Sequence, residues 1–237
     1  MMKLHILQIE FMIIVFGASS ALAKETVELI SRDDDVIATF NNTSVTFEYD
    51  GVITQKLDLQ DFDAVKKMCA DIAKNRSKIT FINFASISVD SLFVQLGLDA
   101  WQKMVDVNVT STIVALQQLL RKMISDSWGR IILISSHVAD TGAIGAAGYA
   151  ATKSALEGLN KTLSKEYGRY NITCNLLKLG YFDVGMIKSV PPKHLEEIRR
   201  RIPSGNLGKA GEVANAIRFL MSSQYVNGTS LVINGGI

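Results

Sequence analysis

RIILISSHVADTGAIGAAGYAATK, running from Arg130 to Lys153, is the stretch on which the reading of the whole chain turns. Arg130 to Ser135 is an apolar run behind a single arginine, the pattern of a strand buried on both faces of a parallel sheet. Small and polar residues follow, and then a helical pattern that opens with Tyr149 and Lys153. Residues at this spacing share one helix face. An ammonium beside a phenol favours the phenolate, and a tyrosine tuned in that way can give or take a proton near neutral pH. Ser136, at the strand end, can approach the same point from the other side. Taken alone, a Tyr-x-x-x-Lys pair more often lies on a solvated helix face, so the rest of the chain has to decide between the two meanings.

Working outward, buried-strand runs recur at regular intervals. Phe11 to Phe16 is one, followed by Gly17-Ala18-Ser19-Ser20-Ala21-Leu22-Ala23 and a helical stretch from Lys24 to Ser31. A strand, a turn of small residues and a helix start make a phosphate-binding arrangement, because free amides and the positive dipole end collect there. Val36 to Phe40 and Ile79 to Asn83 read as further strands, and another is expected to end at Lys56-Leu57-Asp58-Leu59. Helical periodicity covers Phe62 to Ala73, and Asp99 to Ser125 reads as one long helix or two abutting ones, with Asn108 the polar member of an apolar stripe. Beyond the central stretch come a strand over Thr173 to Leu177, a charged helix over Pro191 to Arg201, an amphipathic helix over Glu212 to Met221, and a last strand at Ser230 to Ile233. Strands alternating with helices predict an α/β fold, a Rossmann-like doubly wound parallel sheet with helices on both faces. The polar punctuation falls at the strand ends, where such folds bind ligands.

Composition agrees. At 237 residues, 48% hydrophobic and 20% charged, the chain suits a compact fold and is read as one domain over residues 1–237. A net charge of +2 implies no nucleic-acid or membrane partner. Cys69 and Cys174 sit in apolar patterns and read as reduced core residues; no cysteine or histidine spacing suggests a metal. Of the three histidines, His5, His137 and His194, only His137 stands beside a candidate site residue. The N-terminal MMKLHILQIEFMIIVFGASSALA resembles a secretory leader ending at Ala-Leu-Ala. Its apolar core is short and broken by Glu10, and the same residues serve better as a first strand and its turn.

With these residues laid out, the chain resembles the short-chain dehydrogenase/reductase family from Phe11 to its end, most closely the 3-oxoacyl-carrier-protein reductases. The resemblance rests on Ser136, Tyr149 and Lys153 in order and spacing, on Asn108 within Asp106-Val107-Asn108-Val109, on Asp58, and on a tail from Ile202-Pro203 through Glu212-Val213-Ala214 to Asn234-Gly235-Gly236. It implies that Asn108, Ser136, Tyr149 and Lys153 are catalytic. It implies a nicotinamide cofactor held by Gly17, Ser19, Ser20, Leu22, Asn41, Asp58, Leu59, Asn83, Ala85, Tyr149, Lys153, Gly180 and Phe182. Ser136, His137, Tyr149 and Met186 would meet the substrate, with residues 186–203 as a lid. Cleavage after Ala23 would remove half of the cofactor site, which argues against secretion and for the cytoplasm.

Several positions depart from the family's pattern. Ala21 and Ala23 stand where glycines are usual, Asn83-Phe84-Ala85-Ser86 replaces Asn-Asn-Ala-Gly, Leu179-Gly180 replaces Pro-Gly, and Val184 replaces a threonine. Each is expected to loosen a cofactor contact, the Ala21 methyl by crowding the pyrophosphate. The turn Asn41-Asn42-Thr43-Ser44 lacks the acid that favours NAD, so NADP(H) is preferred over NAD(H). The resemblance implies reduction of a carbonyl: Ser136 orients the oxygen, Tyr149 protonates it, Lys153 tunes the tyrosine, and Asn108 holds a water. The expected substrate is a 3-oxoacyl thioester in fatty-acid synthesis, of the acyl-carrier-protein type. An alcohol or sugar dehydrogenase and a catalytically silent partner subunit are the alternatives. The long helices imply a homo-oligomer, a dimer or tetramer.

Overall fold

The computed structural model describes residues 11–31 and 34–237, so His5 and the charged start of the leader-like stretch lie outside the described residues. Seven strands form one parallel sheet: β1 (Met12–Phe16), β2 (Asp35–Phe40), β3 (Val52–Lys56), β4 (Ile79–Asn83), β5 (Gly129–Ser136), β6 (Ile172–Leu179) and β7 (Ser230–Ile233). Their spatial order is β3-β2-β1-β4-β5-β6-β7. The order reverses at β1, which pairs with β2 on one side and β4 on the other, and the crevice of a doubly wound sheet opens at such a reversal.

Alternation along the strands sorts the core into two layers. Met12, Ile14 and Phe16 pack with α2 (Phe62–Asn75), α4 (Ser111–Ser125) and α6 (Ala147–Tyr167) on one face. Ile13 and Val15 pack with α1 (Ala21–Ile30) and α8 (Ala210–Ser222) on the other. Both cysteines are buried and free, and burial alone pushes the Cys69 thiol up to about 12. Of the remaining helices, α3 (Leu98–Val105) precedes α4, the single turn α5 (Val138–Thr141) follows β5, and α7 (Pro192–Arg201) is largely exposed.

Several boundaries move from those expected. The third strand stops at Lys56, so Asp58 and Leu59 lie on the loop after it; this edge strand is mostly exposed and carries no apolar run to mark it. Helix α1 begins at Ala21 rather than Lys24, because the Ser20 side chain accepts from Ala23 N at 3.2 Å and caps it there. The long helical stretch runs unbroken from Leu98 to Ser125, with α3 and α4 meeting through a π turn, Asp106–Thr110, that contains Asn108. Among the described residues no helix is long and apolar enough to cross a membrane, and no group of three or more His, Cys, Asp or Glu side chains is arranged to hold a metal.

Candidate active site

The central stretch places its two halves on rigid elements. Strand β5 carries Ser136 to the carboxyl edge of the sheet, and the first turn of α6 brings back Tyr149 and Lys153. The Tyr149 side chain lies near those of Ser136 and Ser86. Burial pushes this phenol up, and the two serine hydroxyls pull it back part of the way. Lys153 is buried, 2% exposed, with Nζ donating to Ile134 O at 2.8 Å and standing 5.7 Å from the Tyr149 ring centroid. Desolvation pushes its ammonium down to about 7. The pair therefore lies inside the fold and not on the solvated helix face that its spacing alone would suggest.

The surroundings of the pair are fixed by buried polar side chains. Asn108, fully buried in the π turn, accepts from Ile87 N at 2.8 Å and donates to Ile87 O and to Thr152 Oγ1, both at 2.9 Å. Both amide protons that a water might have used are engaged, so the side chain braces the loop after β4 against α6. Ser135 Oγ donates to Lys153 O at 3.2 Å. At the carboxyl end of β6, Lys178 bridges Asp140 of α5 at 2.9 Å and Glu157 of α6 at 2.8 Å. Burial acts against this ammonium, but the two carboxylates outweigh it and hold its pKa above the usual value. The bridge ties down the turn that begins at Ser136. His137 N donates to Leu179 O at 2.9 Å, and the His137 ring lies 5.2 Å from that of Tyr181. The backbone of Met186 lies in the turn Gly185–Ser189, and its side chain is outside the described residues.

A cavity of about 410 Å³ lies across the ends of β1, β2 and β4, reaching Ser86 and Ile87 on the loop after β4; Ser136, Tyr149 and Lys153 do not line it. Of the residues expected to hold a cofactor, Gly17, Ser19, Ser20, Asn41, Asp58, Leu59 and Ala85 line it. Gly17 has φ +77°, and a Cβ there would lie 2.5 Å from Ala85 Cα, so only glycine lets the turn pass this close to β4. Other expected contacts turn elsewhere. Asn83 spends its side chain on Ala85 N at 2.9 Å and Thr112 Oγ1 at 2.6 Å, positioning Ala85. Leu22 packs against the core, and so does the Phe182 ring, which also lies against Gly208. Gly180 allows close contact with Asn234, where a Cβ would meet Cα at 2.7 Å.

The sequence reading missed Thr39, Gln60, Ser86, Lys103 and Val107 on the cavity wall and Lys178 beneath the turn. Ser86 had a signal, since it departs from the family's glycine; the others are placed by the tertiary fold alone. The residues present suit a dinucleotide. The start of α1 offers free amides for phosphates, Leu59 and Val107 offer apolar walls for a flat ring, and Asp58 and Asn41 to Thr43 offer polar partners for an amino group and a ribose. Lys103, the one basic residue on the wall, has no ion-pair partner among the described residues.

Comparison with known proteins follows the same geometry. A family profile described as Enoyl-(Acyl carrier protein) reductase matches residues 14–237. The chain is 31% identical over 239 residues to the 3-oxoacyl-(acyl-carrier-protein) reductase FabG of Buchnera aphidicola, covering 94% of this chain and 96% of that protein. It is 37% identical over 158 residues to the FabG of Aquifex aeolicus, covering 66% of this chain and 64% of that protein. It is 34% identical over 166 residues to the human (3R)-3-hydroxyacyl-CoA dehydrogenase, covering 69% of this chain and 64% of that protein. A solved structure of ElxO with NADP bound superposes with a TM-score of 0.85 at 23% identity, covering 96% of this chain and 98% of that one, which shows a shared fold.

Proposed function

Because the chain belongs to the short-chain dehydrogenase/reductase family, whose members are nicotinamide-dependent oxidoreductases, we propose that it reduces the carbonyl of a 3-oxoacyl thioester to a hydroxyl with NADPH. One observation carries the reading: Ser136 at the end of β5 and Tyr149 in the first turn of α6 flank the buried Lys153, whose Nζ stands 5.7 Å from the tyrosine ring. The bound nicotinamide supplies the hydride, two electrons with one hydrogen, to the carbonyl carbon. Ser136 hydrogen-bonds the substrate oxygen and orients it. Tyr149 gives its proton to that oxygen, so the C=O bond becomes CH–OH and a phenolate remains. Lys153 stabilises the phenolate by its charge, and Asn108 keeps the loop and helix in register.

NADPH is favoured over NADH because Asn41 to Thr43 bring no carboxylate to the cavity, while Lys103 brings a cation. The exposed guanidiniums of Arg199 and Arg201 on α7 support an acidic carrier protein as the bearer of the thioester. Residues 186–203 then act as the lid over the substrate. The reading extends to a cytoplasmic homotetramer in fatty-acid synthesis, joined through α4 and α6, where Ile113 is exposed on α4. Fluorescence titration with NADPH and NADH, followed by reduction assays with acetoacetyl thioesters against a panel of ketones and sugars, tests it. Preferential thioester reduction supports the reading. Turnover confined to ketones or sugars replaces it with a secondary-pathway dehydrogenase, and absence of binding by either nicotinamide replaces it with a silent subunit.

A further inference from the structure

Helix α5 begins two residues after Ser136, and none of its residues, Val138–Thr141, is buried. Polar ties hold it to the fold instead. Val138 N donates to Ser136 Oγ at 3.2 Å, and Ser154 Oγ of α6 donates to Ala139 O at 3.0 Å. Both carboxylate oxygens of Asp140 accept from Lys178 Nζ at 2.9 Å. Lys178 is buried on β6, where it is paired with Ser135 of β5, and its ammonium also meets Glu157 of α6 at 2.8 Å. The other oxygen of that carboxylate accepts from Ser230 Oγ of β7 at 2.6 Å. One buried ammonium thus connects α5 to β6, to α6 and, through Glu157, to β7.

We propose that Lys178 is a positioning residue for Ser136: by holding Asp140 to Glu157 it fixes α5 against α6 and sets where the serine hydroxyl stands. This rests on the proposed carbonyl reduction, in which Ser136 orients the substrate oxygen. The link to the hydroxyl is direct, because Oγ is bonded to the first amide of α5, and a displaced α5 either carries Oγ along or breaks that bond. Helix α6 does not depend on the bridge in the same way, since Asn108, Ser135 and Lys153 brace its first turns. Magnitudes separate the role in rate from a role in stability. The Asp140 side chain is 55% exposed, and ion pairs that solvent reaches contribute little to stability. Rate responds to placement far more steeply, since a shift of about 1 Å can cost about 10²-fold. Lys178 does not line the cofactor cavity, so its route to the chemistry runs through the turn at Ser136.

The test measures kcat and KM for Lys178→Met and Asp140→Asn, each made in the wild-type chain and in Ser136→Ala, with Asp140→Glu as the conservative variant. In the wild-type chain kcat should fall roughly tenfold or more. NADPH affinity should not change, because neither residue lines the cavity, and Asp140→Asn should melt within a few degrees of wild type. Asp140→Glu keeps the carboxylate and should recover most of the rate. In Ser136→Ala the same changes should cost less than about twofold, since no hydroxyl is left to place; residues that act as one unit are non-additive in this way. An equal loss in both backgrounds, or a lower melting temperature with an unchanged rate, overturns the inference and leaves the bridge structural. If Lys178→Met does not fold, Asp140→Asn decides alone, because Asp140 is exposed. Hydrogen exchange of the amides of residues 137–142 reads the tie without a substrate and should quicken in Asp140→Asn. If the wild-type protein reduces no carbonyl substrate yet exchange quickens, the proposed function falls and the tie stands. Unchanged exchange overturns the inference whatever the assays show.

Discussion

The cluster around Tyr149 and the turn at Gly17 both lie at carboxyl ends of strands in one sheet, yet they are held in different ways. The cluster is cross-braced: Asn108, Thr152, Ser135 and Lys153 are all buried and tied by hydrogen bonds across the loop after β4, β5 and α6. The turn rests on one special backbone angle at Gly17 and one side-chain cap at Ser20. Exchanging a buried, mutually satisfied polar group leaves orphans in a low-dielectric interior, which is costly. Exchanging a glycine for an alanine beside open space costs little. The region where substitutions are expensive is the one whose residues match the family, and the region where they are cheap has drifted.

The sharpest test of this contrast is Tyr149→Phe. Turnover should fall by about 10²–10⁴-fold, the usual worth of a general acid, while NADPH affinity by fluorescence stays within about twofold, since Tyr149 does not line the cavity. A fall in affinity as large as the fall in rate would show that the two regions are one unit. Asn108→Ala probes the bracing itself. It orphans both backbone groups of Ile87, at roughly 1–3 kcal/mol each where water cannot enter, and removes one donor from the Thr152 hydroxyl, which still donates to Tyr149 O at 2.8 Å. A net loss of about 3 kcal/mol, or about 6–12 °C in melting temperature, should accompany loss of activity; inactivity with an unchanged melt would make Asn108 chemical and not structural.

How far these parts were legible in the sequence follows from how they are built. The buried strands announce themselves as apolar runs, and the α/β alternation makes the parallel sheet. The edge strand β3 was misplaced because Ile53 to Lys56 are exposed and nothing in their pattern marks a boundary. Tyr149 and Lys153 are local in sequence, so spacing finds them. The bonds of Asn108 to Ile87 and Thr152 and the bridge from Lys178 to Asp140 and Glu157 join residues far apart in the chain, and only the folded sheet brings them together. Asn83 and Phe182 were assigned to the cofactor by resemblance, whereas the Asn83 side chain holds Ala85 and the Phe182 ring fills the core.

Lys153 gives the comparison a pH axis. Its pKa in the folded chain lies near 7, below the ordinary 10.5, because burial disfavours the ammonium. Between those values the unfolded chain holds a proton that the folded chain has released, so the contribution of Lys153 to stability rises with pH. Below about 7 the folded protein carries a buried charge and the full penalty applies. The cofactor-free Lys153→Met variant, which lacks this penalty, should melt above wild type by several degrees at neutral pH and below, and the gap should close as pH approaches 10.5. A gap that stays constant over this range would mean that Lys153 keeps its proton throughout.

The smallest expected effect belongs to the turn. Ala21 is expected to crowd the pyrophosphate, but its methyl also faces the segment after β6: a Cβ on Gly185, where φ is +65°, would lie 3.3 Å from it. Ala21→Gly removes the methyl from both surfaces. The backbone can then come closer to a phosphate, so NADPH should bind a few-fold tighter, about 1 kcal/mol at most, with the maximal rate unchanged. Stability should drop by about 0.5–1 kcal/mol, the ordinary cost of glycine at a helical position. Gly185→Ala works in the opposite sense, since it strains a positive φ and presses a second methyl against the first. If Ala21→Gly leaves affinity unchanged while Gly185→Ala weakens it, the methyl acts on the segment after β6 and not on the cofactor. The looser half of the site would then be the segment after β6, and the Gly17 turn would be as well fitted as the cluster at Tyr149.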